Sequence, residues 1–510
     1  MGKKVCFLFG ALFLFFRCTN DRDPPLFKRV AHSGVTFANQ VIENDSMNIM
    51  ELEYFYRGGG VGIGDVNRDG LPDIFFGGNM TPSRLYLNRG GLRFTDITEA
   101  AGLYTDRWIN GVSLVDINAD GWLDLYLCGG GSNTPARRRN LFYINQGLNE
   151  DGIPIFVDQA AALGLDSDRN STQAGFFDYD RDGDLDLFLA NTDPDNKNPN
   201  VVRTKRDDGS SPNTDQLFEN HLKESGRLLP FTDVSREAGI RFEGFSLGLA
   251  LSDLNLDGWP DIYVANDHLS NDLLYINQGP DEEGKVTFAN RIGDMLTSQS
   301  YYSMGVTIKD LSGDGHNDIF TLDMLPERND RRQKMVMAMS LNKFMLAEEY
   351  GFQNQFMKNT LQVNMGRGAD GLPLFSEAAQ LAGIHNTDWS WGCVAADFDH
   401  DGHNDLIIAN GYARDITDMD FVSYQKKASY FETDQYSREY RTALQAQPPI
   451  LLPNVAFRNR GDLQFEDVSA AWGFAEPDLS SGIAYSDLDL AGALDLVVNH
   501  LNRPASIYEN

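Results

Sequence analysis

One acidic motif recurs along the whole chain and constrains the fold more than any other feature. The pattern Asp-x-(Asp/Asn/Ser)-x-Asp-Gly-x-x-Asp, followed by a short apolar run, starts at Asp65, Asp116, Asp178, Asp253, Asp310 and Asp397. A seventh, weaker copy starts at Asp487 and has Ala491 at its fifth position. Repetition at this fidelity means one supersecondary unit stacked many times, each unit burying its apolar face against its neighbours.

Each copy carries the chemistry of a hard-cation loop. Oxygen side chains at positions 1, 3, 5 and 9 can converge on one ion, position 7 can add its carbonyl, and Gly at position 6 permits the sharp turn. The candidate ligands are Asp65, Asn67, Asp69 and Asp73; Asp116, Asn118, Asp120 and Asp124; and Asp178, Asp180, Asp182 and Asp186. They continue with Asp253, Asn255, Asp257 and Asp261; Asp310, Ser312, Asp314 and Asp318; and Asp397, Asp399, Asp401 and Asp405. Asp487, Asp489 and Asp495 form the weak seventh set. Oxygen-only ligands favour Ca2+ over zinc or copper, so about six strong calcium sites and one weak one are expected. An EF-hand needs a bidentate Glu at position 12, where this chain has Phe76, Leu127, Leu189, Val264, Thr321, Ile408 and Val498. The alternative is a metal-free Asp/Asn/Gly turn, since the same residues make good turns.

The chain has 43 basic and 74 acidic residues, a net charge of −31. That balance excludes phosphate-tracking nucleic-acid binding and docking on an anionic lipid surface. Six divalent ions would offset more than a third of it.

Two further signatures keep fixed order around each loop. A short strand ending in Asn follows it, as in Arg84–Asn88 or Leu273–Asn277, and then a Phe-led strand, as in Phe94–Thr98 or Phe231–Ser235. After the seventh loop the chain stops at Asn510 without its Phe-led strand, and a matching segment stands at Phe27–Ala31. Four strands per unit, repeated seven times, predict an all-β, seven-bladed β-propeller closed by that N-terminal strand. The propeller is expected over 27–510, with insertions at about 192–215, 324–358 and 412–453.

Lys3 and Lys4, the apolar run Val5–Phe16 and then Cys18 read as an export signal over 1–18 with a lipobox-like Cys18, followed by a polar tether over 19–26. Lipidation at Cys18 is the expected membrane connection, making the chain an outer-membrane or cell-surface lipoprotein; ordinary secretion is the alternative. No later apolar run is long enough to span a bilayer. Four Cys exclude a disulfide framework, and Cys128 and Cys393 are expected to be buried thiols.

The loops and their companion strands resemble the FG-GAP/VCBS repeat, the calcium-loop propeller repeat of integrin α-chains and of many secreted bacterial proteins. Ala101-Gly102, Ala238-Gly239 and Ala382-Gly383 after the Phe-led strands resemble the cartilage-acidic-protein/UnbV group, in which an ASPIC/UnbV domain often follows the propeller. Thr387–Gly392, Asn410-Gly411 and Arg414-Asp415 are similar to stretches in surface lipoproteins of the Bacteroidota. The resemblance implies adhesion, glycan binding or assembly: a platform for a protein partner or surface glycan. The alternative is a polysaccharide-active enzyme, because rhamnogalacturonan lyases also use calcium-loaded propellers.

Other features read as scaffold. Arg328–Gln353 is rich in helix formers, and seven of the 14 Met lie between Met324 and Met365; a helix packed on the propeller is expected, an adaptable Met-rich partner surface being the alternative. The tyrosines of 412–449 are expected to pack rather than stack on sugars. Gly244–Gly248 matches a nucleophile elbow around Ser246 but aligns with an inner strand, so no catalytic residue is assigned. His316 and His403 stand at loop position 7, where only the backbone is needed.

Overall fold

The computed structural model describes residues 24–44, 47–49, 51–132, 134–193, 200–335, 340–368, 371–428 and 442–510. Seven four-stranded antiparallel sheets follow one another. The first strands of the blades are Val61–Gly64, Ile109–Val115, Asn170–Phe177, Ser246–Ser252, Val306–Lys309, Ser390–Ala396 and Ser480–Ser486. Each touches the first strand of the next blade, and the seventh touches the first, so the ring is closed. The first strands surround an axial cavity of about 420 Å³.

Closure is made by the chain ends. Lys28–Arg29 pairs antiparallel with Ser506–Glu509, with Lys28 opposite Glu509 and Arg29 opposite Tyr508. Phe27 is buried against Phe398, Trp472 and Phe474. The last blade therefore takes three strands from the C-terminus and its outer strand from the N-terminus, which leaves no unpaired outer edge on Ser506–Glu509.

The glycines of the first strands have a packing cause. A Cβ on Gly482 would lie 2.6 Å from the Gly59 carbonyl oxygen, and one on Gly305 would lie 2.7 Å from that of Trp391. Near the axis the blades approach backbone to backbone, and a side chain would push them apart. The second strands are buried on both faces, as their continuous apolar runs require.

The Asn that ends each third strand joins neighbouring blades. Its backbone N–H donates to the ninth-position Asp of its own loop, and its Nδ2 reaches the second-position carbonyl of the preceding blade. Asn145 reaches Val66 O at 2.9 Å, Asn277 reaches Tyr179 O at 2.9 Å, and Asn364 reaches Leu254 O at 3.0 Å. Asn459 reaches Leu311 O, Asn510 reaches Phe398 O, and Asn88 reaches Leu488 O across the closure. Asn220 departs from the rule and bonds Leu185 O within its own blade.

In an antiparallel four-stranded blade the first-to-second connections share one end of the ring. The second-to-third and fourth-to-first connections share the other. The acidic loops all lie at the first end. The described residues between Thr192 and Gln216, between Thr321 and Thr360, and between Asn410 and Val455 lie at the second, with those of the segment before Val61. The expected helix of Arg328–Gln353 comes as two, Asn329–Lys334 and Leu341–Glu349. Cys128 is buried and Cys393 half-buried; both are free thiols. Among the described residues no helix is long and apolar enough to cross a membrane. Cys18 and its flanking signal lie outside the described residues.

Candidate metal centre and the opposite face

The seven loops share a backbone conformation the sequence does not announce. Position 6 is a left-handed Gly in all seven, from Gly70 at φ +88° to Gly492 at φ +92°. Position 4 is left-handed as well, and in six loops it is not glycine: Arg68, Ala119, Arg181, Leu256, His400 and Leu490, with Gly313 in the fifth. A non-glycine residue held there costs on the order of 1–2 kcal/mol, and such strain gathers at functional sites.

The strained backbone turns amides onto the first carboxylate. Asp65 accepts from Asp69 N at 3.2 Å and Gly70 N at 2.8 Å, and Asp116 and Asp253 repeat this with their own loops. The ninth-position Asp is buried at the loop base. Asp73 accepts Val66 N at 3.0 Å and Asn88 N at 2.8 Å, and the pair recurs at Asp124, Asp186, Asp261, Asp318, Asp405 and Asp495. Each of these oxygens keeps a second lone pair except Asp318 Oδ2, which accepts from both Leu311 N at 2.9 Å and Ser312 N at 2.8 Å.

Carboxylates at positions 1, 3 and 9 converge where position 3 is Asp. One oxygen from each of Asp178, Asp180 and Asp186 lies within 4.8 Å of the others, and so do those of Asp397, Asp399 and Asp405 and of Asp487, Asp489 and Asp495. The seventh loop thus gathers its three acids despite Ala491. Oxygens of Asp178, Asp399 and Asp487 are buried without any hydrogen-bond donor. Burial first, and neighbouring carboxylates after it, raise Asp73, Asp124, Asp261 and Asp405 to about 7, although backbone amides pull the other way. Asp186 rises to about 9 and Asp495 to about 6 for the same reasons. Desolvated, mutually repelling, partly orphaned oxygens fit a hard divalent cation.

Two loops carry an extra charged neighbour that motif reading missed. Arg458, the residue before Asn459, pairs with Asp399 at 2.5 Å and Asp401 at 3.0 Å. Glu219, before Asn220, lies in the field of Asp182 and Asp184 and contributes to the raised value of Asp180. The signal was available: the residue before the Asn is apolar in four blades, Leu87, Ile144, Ile276 and Val363, and charged in three, Glu219, Arg458 and Glu509. His316 and His403 use their backbone N–H groups, to Asp314 and Asp401.

The opposite end is aromatic and ion-paired. Trp389 stacks on Tyr412 at 3.8 Å between ring centres. Trp391 Nε1 donates to Gly411 O at 2.9 Å, and Asn410 Nδ2 donates to Thr387 O at 2.9 Å. Arg331, from the fifth-blade insertion, bridges Asp388 at 2.6 Å and Asp415 at 2.7 Å. Leu52, Phe55, Trp108, Met304, Met324 and Met335 pack into the same cluster. Tyr412 therefore packs rather than faces solvent; Tyr430, Tyr436 and Tyr440 lie outside the described residues. Beside this cluster, His268 Nε2 is 3.1 Å from Glu53, and Tyr54 donates to Asp267 at 3.2 Å. Ser246 is buried on its first strand, its Oγ 2.8 Å from Asp215 Oδ1 and 3.1 Å from Asn266 Oδ1, with one hydroxyl proton for the two acceptors.

The comparisons with known proteins agree with this architecture. The family model described as FG-GAP-like repeat matches residues 65–127 and 253–321, which hold the first, second, fourth and fifth loops. Cartilage acidic protein 1 of Mus musculus is 30% identical over 137 residues, 26% of this chain and 21% of that protein. Its Xenopus tropicalis counterpart is 30% identical over 142 residues, 27% of this chain and 21% of that protein, and the Homo sapiens protein is 29% identical over 137 residues, 26% and 20%. The chain spans about a fifth of the length of these relatives.

Proposed function

Starting from a seven-bladed propeller of FG-GAP-like repeats, we propose that this chain is an exported, calcium-binding platform for a partner protein or a surface glycan. Lipidation at Cys18 would hold it to the outer membrane or cell surface. The calcium would be held by positions 1, 3, 5 and 9 of each loop, where it supplies positive charge to desolvated carboxylates and fixes the loop backbone. Its role is structural.

The observation that carries the reading is the separation of the two ends of the ring. One end holds strained acidic loops. The other holds the insertions, and there the helix Leu341–Glu349 leaves Leu341, Met345 and Leu346 exposed, with Tyr350 and Phe356 beyond it. Apolar groups left in water on an otherwise acidic surface favour a binding face. A glycan array probed with calcium-loaded and metal-stripped protein tests the reading. Retention of a discrete set of glycans, lost on stripping and weakened by Met345→Glu, supports a platform. Release of shortened, unsaturated products from the same glycans would replace it with the lyase reading, for which the Glu53–His268–Asp267 group is the nearest convergent set of titratable side chains.

A further inference from the structure

A second cavity, of about 230 Å³, lies at the insertion-bearing end between the chain after Thr192 and the fourth blade. Phe242, Leu273, Ile292 and Phe352 supply apolar wall, and Arg203, Lys205 and Arg206 line it with Glu243 and Asp294. The acids are already matched. Arg203 grips Glu243 through both guanidinium nitrogens at 2.6 and 2.8 Å, and Arg291 holds Asp294 at 3.2 Å.

Of the three cations, that leaves Lys205 and Arg206. Lys205 Nζ donates to Asn271 Oδ1 at 2.6 Å and to Gly351 O at 2.9 Å, and lies 4.6 Å from the centre of the Phe352 ring. Among the described residues no carboxylate pairs with it, and burial alone pulls its ammonium down to about 8. Arg206 stands exposed at the rim beside the exposed Asp208. A half-buried ammonium without a counter-ion is costly, and in a chain of net charge −31 a carboxylate would have been the common remedy. Apolar walls with one or two convergent charged groups are the usual make-up of a ligand site.

We propose that this cavity binds a small organic anion with an apolar body, the anionic group seated between Lys205 and Arg206 and the body against Phe242 and Phe352. The volume is below the roughly 300–1,000 Å³ of drug-sized pockets, which limits the ligand to about ten non-hydrogen atoms. The site is independent of the metal loops.

Titration calorimetry of the full chain with benzoate and phenyl phosphate, against neutral benzamide and cationic benzylamine, tests this. Saturable binding of either anion is expected, at least about tenfold tighter than benzamide, with none by benzylamine. Lys205→Met should weaken anion binding about tenfold or more at an unchanged melting temperature, and Arg206→Ser about threefold. Should Lys205→Met fail to fold, Arg206→Ser decides by the same readout. No saturable anion binding, equal affinity for benzamide, or folded variants that bind as the parent does would overturn the proposal.

Discussion

Arg458 and Glu219 stand at the same register, one residue before the Asn of the third strand, yet bring opposite charges to their loops. Arg458 already neutralises part of the sixth loop through Asp399 and Asp401. A calcium ion there must displace the guanidinium or bind against it. The sixth loop is therefore expected to be weak although its motif is intact, and Arg458→Gln should tighten it about tenfold, read as an added step in a calcium titration. Glu219→Gln should do the reverse to the third loop. In the seventh, Ala491→Asp restores the missing ligand and should add one strong site; an unchanged stoichiometry would defeat the ligand-count argument.

The ninth-position carboxyls set a pH dependence whose sign depends on the metal. Their folded values, about 6 for Asp495, about 7 for Asp73, Asp124, Asp261 and Asp405 and about 9 for Asp186, lie above the ordinary 3.8. A raised folded value favours the native state at low pH, and that contribution is lost as pH rises through the folded value. The metal-stripped chain should thus lose stability from about pH 4 upward, most steeply at about pH 5–6, where these carboxyls are ionised in the unfolded chain but still protonated in the fold. Calcium binds the ionised form, so its stabilising increment should grow over the same window. Melting with and without calcium should differ more at about pH 7.5 than at about pH 5.5; an increment that shrinks as pH rises would contradict the assignment.

At the scale of elements, closure and the inter-blade asparagines do the joining. Deleting residues 19–35 removes Lys28–Arg29 and Phe27, leaves Ser506–Glu509 as an open edge and empties the site among Phe398, Trp472 and Phe474. Aggregation or loss of a single cooperative transition is expected; a soluble truncation that melts like the parent would mean the ring is held elsewhere. Asn364→Ala cuts the strut to Leu254 O and should cost about 1–3 kcal/mol, because a buried carbonyl loses its donor. Asn220→Ala, which has no strut to the preceding blade, should cost less in the same denaturant series.

Most of this architecture is legible in the chain itself, because a repeat states its structure seven times. Strand order, the Phe27 closure and the place of Ser246 on a first strand all follow from aligning copies against one another. What stayed hidden involves unlike copies or neighbours brought together only by the ring. The role of Asn277 depends on Tyr179, 98 positions away. The left-handed residues at position 4 are chemically diverse, since the wrap of the loop backbone rather than the side chain imposes the conformation. The Arg331 bridge to Asp388 and Asp415 joins segments from different blades, and Lys205 becomes notable only once its lack of a counter-ion is seen.

Across the whole molecule, the acidic loops and the −31 charge support the proposal that calcium completes the fold. Thermal unfolding of the exhaustively stripped full chain, followed by calcium or magnesium at equal concentration, tests it most directly. A ligand that binds only the native state raises its stability by mass action, by about 2.7 kcal/mol per site at a hundredfold excess over Kd. The expected result is a melting temperature that drops on stripping, recovers with calcium and does not recover with magnesium, which resists dehydration and demands octahedral geometry. A melting curve that stripping leaves unchanged would contradict the account.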